Sequence, residues 1–165
     1  MIALRVDEVR DFMGKFLTGE VFDNFLLVEL DVAKEGIVHF SGRRNRDWYD
    51  DDEWETITEK EYQTWREVRP MAWQLIKGHR TPLAMRGVLM LSRENTAKIL
   101  EKNHLPFDPE EVGGLFVNIR FETNKLQLVT GVSMKGFVLD KSLEHQWDHD
   151  LKAFLKYHEI VVEEE

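Results

Sequence analysis

Residues 114–158 leave this chain the least freedom. Leu115, Val117, Ile119 and Phe121 alternate with Asn118, Arg120 and Glu122, the period of two of a strand with one buried face. Thr123, Asn124 and Lys125 interrupt the pattern, which resumes through Leu128, Thr130, Val132 and Met134. A two-residue loop at Asn124-Lys125 sets Phe121 opposite Leu128, Ile119 opposite Thr130, Val117 opposite Val132 and Leu115 opposite Met134. A slip of one residue would turn the apolar set to the wrong face. Asn124 suits the positive φ of such a loop and Lys125 suits it less, so the register rests on the side-chain pattern.

Beyond Gly136, with Asp140 or Ser142 as cap, Leu143, Trp147, Leu151, Phe154, Leu155 and His158 recur at helical spacing. Their directions fall within about 120° on a wheel that advances about 100° per residue. The helix is therefore expected to cover the apolar face of the hairpin.

Upstream, residues 7–17 read as a helix stopped by Gly19, residues 22–32 as a strand, and residues 37–41 as its hairpin partner across Lys34, Glu35 and Gly36. Residues 42–57 read as a loop, basic at one end and acidic at the other. Thr58 and Glu61 form a capping box for a helix running to about Lys77, with a kink or break expected at Pro70. Residues 83–91, apolar on nearly both faces, suit a central strand. Ser92 then caps a helix closed near Asn103, and a loop with one helical turn at 109–112 leads back to the hairpin.

This order predicts an α+β fold: a largely antiparallel sheet of about five strands, two hairpins plus a central strand, with about four helices packed mainly on one face. The 165 residues are expected to form one domain, of a size that buries roughly 70% of its unfolded surface. The absence of Cys removes disulfides and thiolate chemistry, and charges at Arg5 and Asp7 interrupt any leader or membrane span at the N-terminus. The expected setting is the cytoplasm. A formal net charge of −9 argues against nucleic acid or anionic membranes as whole-molecule partners.

No phosphate loop, nucleophile elbow or calcium loop is present, and Asp50, Asp51, Asp52 and Glu53 read as a solvated acidic segment. His145 and His149 lie one helical turn apart, but the residue after the first is Gln146 rather than the glutamate of a zinc protease, and both point away from the apolar stripe. No metal and no cofactor are expected. The chemistry worth following is basic: Arg43, Arg44 and Arg46 beside Trp48 and Tyr49, and Lys77, His79 and Arg80. Such clusters suit a phosphate or carboxylate, or pair with the neighbouring acidic loop.

Leu91-Ser92-Arg93-Glu94-Asn95-Thr96, Gly114-Leu115-Phe116-Val117-Asn118-Ile119-Arg120, and Thr130-Gly131-Val132-Ser133-Met134-Lys135 with Leu139-Asp140-Lys141-Ser142-Leu143-Glu144 resemble a small bacterial family known only as a domain of unknown function. The resemblance extends to Phe22-Asp23-Asn24-Phe25-Leu26-Leu27 and Lys77-Gly78-His79-Arg80-Thr81-Pro82, hence to nearly the whole chain. It implies a bacterial source and one full-length domain, and supplies no activity or ligand. The leading expectation is a non-catalytic binding or regulatory module. The alternatives are a protein acting on an anionic, phosphorylated small molecule through the basic clusters, and local nucleic-acid binding.

Overall fold

In the computed structural model, which describes residues 1–165, the alternating segments become β5 (Val112–Glu122) and β6 (Lys125–Met134). They pair antiparallel with Phe121 opposite Leu126, Ile119 opposite Leu128 and Val117 opposite Thr130. This register differs by two residues from the expected one. The loop is Thr123-Asn124, at φ 54° and 59°, and Lys125 stays in the ladder opposite Glu122. Two left-handed residues give the turn whose twist matches the strands. A shift of two leaves every side chain on its original face, so the buried set survives the error.

Five further strands complete the sheet: β1 (Ala3–Val6), β2 (Leu26–Ala33), β3 (Ile37–Ser41), β4 (Ala84–Met90) and β7 (Val162–Glu164). The order is β3-β2-β4-β5-β6-β1-β7 and every neighbouring pair is antiparallel. The expected five strands lacked β1 and β7. With four and three residues these are too short to display a period, and pairing holds them: Leu4, fully buried, lies opposite Leu128 in β6.

The helices are α1 (Val9–Leu17), α2 (Asp51–Thr56), α3 (Trp65–Ile76), α4 (Arg93–Lys102) and α5 (Ser142–Tyr157), five rather than four. The addition is α2, started by a capping box between Asp50 and Glu53 inside the segment expected to be loop. Thr58 and Glu61 do not begin α3. Thr64 and Glu67 make its capping box, and Pro70 sits inside it without a break. One backbone hydrogen bond is forfeited at Pro70, and burial of Trp65, Val68 and Ala72 holds the helix through that position.

Register across the sheet separates its two faces. Leu30, Gly87, Ile119, Leu128 and Leu4 lie side by side on the covered face, where α5 reaches the sheet through Asp148, 2.5 Å from the hydroxyl of Thr130. The adjacent row is polar on all seven strands: His39, Asp31, Arg86, Arg120, Gln127, Arg5 and Glu163. The apolar core therefore lies between the sheet and one layer of helices, as the hairpin and the α5 stripe require. At one end it is aromatic, with Phe16 stacked on Trp65 at 4.2 Å and the Trp65 indole donating to the Phe16 carbonyl at 2.7 Å.

Candidate functional site

The first basic cluster is consumed by the fold. Arg44 donates to both oxygens of Glu67 at 2.8 and 2.7 Å, to the Glu59 carbonyl at 2.7 Å and to the Tyr49 hydroxyl at 3.1 Å. The Glu67 hydrogen bonds raise the pKa of the Arg44 guanidinium, and hydrogen bonds from Arg44 hold the Glu67 carboxyl below its ordinary range. Arg46 binds Asp51 at 2.6 Å and lies over the Trp54 ring, while Arg43 faces Glu61 at 3.5 Å and the Tyr62 ring. The Arg44–Glu67 pair ties this segment to α3, and the other contacts close residues 43–62 on themselves. Trp48 is exposed, and Tyr49 packs on Trp54.

The second cluster behaves differently. Lys77 is the C-cap of α3, and Gly78 at φ 149° turns the chain away from the helix in a conformation open to glycine. Lys77 and Arg80 both line a cavity of about 420 Å³, joined there by Arg10 from the first turn of α1. His79 is exposed but does not line it. The two basic clusters therefore do not converge. Glu67, which holds Arg44, and Lys77 are ten residues apart on α3, about 15 Å along the helix.

The cavity has an apolar floor and a cationic rim. Leu17, Met85 and Phe121 are buried at its base; Met13, Ile76 and Pro82 are partly exposed; and Arg10, Lys77 and Arg80 are exposed. No carboxylate lines it, and its uncharged polar side chains are Thr81 and Asn124. Arg10, Lys77 and Arg80 make no ion pair or side-chain hydrogen bond within the protein. By contrast, of the eleven arginines, eight have a carboxylate within 4.0 Å, leaving Arg10, Arg80 and Arg120 free. Two of those three share this cavity.

The helix dipoles are divided. The C-terminal end of α3 opposes an anion, although Lys34 satisfies one of its last carbonyls, that of Leu75, at 2.9 Å. Val9 and Arg10 bring the N-terminal end of α1 to the cavity, and no side chain caps that end. Arg10 was the residue missed by sequence reading. It stands alone among Glu8, Val9 and Asp11, and only packing of α1 beside α3 places it near Arg80.

His145 and His149 lie on the exposed side of α5, and no third His or carboxylate joins them in a metal-binding group. No helix is long and apolar enough to cross a membrane. Residues 15–163 match the model of a family described as a family of unknown function (DUF5721). No curated protein and no solved structure matches the chain.

Proposed function

The chain belongs to that family of unknown function, and we propose that it is a binding module for a small organic anion, with the cavity bounded by α1, α3 and β4 as its site. The observation that carries this reading is the trio Arg10, Lys77 and Arg80: three cations without partners at one cavity mouth, in a chain with a net charge of −9. Arg44 and Arg46, which serve the fold, each hold a carboxylate, whereas Arg10 and Arg80 share one cavity and hold none. Arg80 offers the planar fork that fits a carboxylate or two phosphate oxygens, and Lys77 adds a point charge.

The lining favours recognition over chemistry. It holds no carboxylate or imidazole to act as general base, and Thr81 is its one hydroxyl. The module is therefore read as a sensor or carrier of its ligand in the bacterial cytoplasm. Of the six basic residues singled out in the sequence, Lys77 and Arg80 belong to the site.

Titration calorimetry with acetate, benzoate, octanoate, inorganic phosphate and glucose 6-phosphate tests the reading. At least one of these anions binds, Arg80→Glu removes the heat, and the exposed control Arg43→Ala leaves it unchanged. No binding by any of the five at millimolar concentration, or binding that survives both Arg80→Glu and Lys77→Glu, overturns it.

A further inference from the structure

We infer that the ligand is an amphiphile: an aliphatic or aromatic body, held inside the cavity, that ends in a single anionic head group at the rim. The inference rests on the anion-binding reading and adds the chemical class of ligand to it. Its basis is the separation of chemistry between the mouth and the base of one cavity.

The charged groups stand at the exposed rim, whereas the buried residues Leu17, Met85 and Phe121 form an apolar floor. Thr81 and Asn124 are the only uncharged polar side chains in the lining, and both are exposed. A sugar phosphate or nucleotide entering this space would exchange water for apolar surface at most of its hydroxyls or base edges, since Thr81, Asn124 and the Trp73 indole are the few uncharged side-chain donors and acceptors there, and all three are exposed rather than at the floor. An alkyl or aryl body loses nothing there and gains the burial of its own surface. Trp73, at 37% exposure, presents a large aromatic surface to the cavity. Met13 and Met85 are unbranched and polarisable, so that side of the lining adapts to bodies of differing shape.

The head group is fixed by the same geometry. Arg10 comes from α1, while Lys77 and Arg80 come from the segment after α3, so the cations approach the mouth from two elements. Such a set holds one carboxylate or one phosphate monoester at the entrance, with the body directed inward. A free carboxylic acid and an alkyl phosphate share this chemistry, and the test separates them.

The test is calorimetry on the full chain with straight-chain carboxylates from butyrate to decanoate, each below its micellar concentration, alongside octyl phosphate, 1-octanol, octylamine and glucose 6-phosphate. Affinity rises about two- to fourfold per added methylene until the cavity is filled. 1-Octanol and octylamine bind at least tenfold more weakly than octanoate, and the ratio of octyl phosphate to octanoate identifies the head group. Trp73→Ser lowers octanoate affinity severalfold and leaves butyrate nearly unchanged, with an unaltered circular dichroism spectrum as the check on folding.

Chain-length-independent binding, or glucose 6-phosphate binding more tightly than octanoate, overturns the amphiphile while leaving the anion site standing. Octanoate binding that survives Arg80→Glu together with Lys77→Glu removes the head-group contact and overturns both.

Discussion

Arg44 donates through its two terminal nitrogens to the two carboxylate oxygens of Glu67, at 2.8 and 2.7 Å, while its own side chain is 4% exposed. The pair joins the segment after β3 to the first turn of α3. Arg80, an arginine just past the other end of α3, has no such partner. That contrast is the ground for proposing Arg80, and not Arg44, as a ligand-binding cation.

The Arg44–Glu67 pair makes stability depend on pH in a known direction. Arg44 hydrogen bonds hold the folded-state pKa of Glu67 below its unfolded value, so its stabilising contribution is complete above about pH 4.3 and is lost as pH falls through the lower folded value. Urea midpoints measured from pH 6 to pH 3 therefore fall more steeply for wild type than for Glu67→Gln. Parallel curves would remove the pair from the account of acid sensitivity.

Asp23 is the most demanding charge in the protein. It is 2% exposed and accepts from Arg69 at 2.8 and 2.9 Å, with Arg66 at 3.5 Å. Asp23→Asn leaves Arg69 facing a neutral group in a nearly dry site and costs about 3–5 kcal/mol in chemical unfolding. The double replacement Asp23→Leu with Arg69→Met costs less, since no unpaired charge remains. A double variant as unstable as Asp23→Asn would mean that shape rather than charge sets the loss.

Thr123 carries strain that a single change relieves. It is β-branched and sits at φ 54° in the β5–β6 turn. Asn tolerates that region, so Thr123→Asn raises stability by about 1 kcal/mol. A shift of the denaturant midpoint upward, with an unchanged slope, is the expected result.

Trp147 anchors α5 to the sheet. It is 3% exposed and its indole donates to the Phe116 carbonyl at 2.9 Å. Trp147→Ala costs about 3–5 kcal/mol, and Trp147→Phe, which keeps most of the packing, costs distinctly less. A loss under about 1 kcal/mol for the alanine variant would place the helix on the wrong face.

Part of this structure follows from sequence alone. The faces of β5 and β6 and the buried stripe of α5 are set by local periods of 2 and 3.6 residues, which require no knowledge of the rest of the chain. They held even where the turn was misplaced, because a two-residue shift conserves faces. The capping box of α3 was misread because Thr58-Glu61 and Thr64-Glu67 carry the same signature, and packing of Trp65 and contact with Arg44 select the second. The strands β1 and β7 exist through pairing with partners more than a hundred residues away or at the opposite terminus, which no local window contains. The proposed site was legible only in half. Lys77 and Arg80 stand out as basic residues, but so do Arg43, Arg44 and Arg46, and the local difference is the acidic run at Asp50, Asp51, Asp52 and Glu53 beside the first group alone. What separates them is whether folding delivers a carboxylate. Asp51 reaches the first group from five residues away and Glu67 from α3, whereas α1 delivers Arg10 and Leu17 to the second, with Met85 of β4 and Phe121 of β5 completing its floor, arrivals decided by tertiary contacts between segments far apart in the chain.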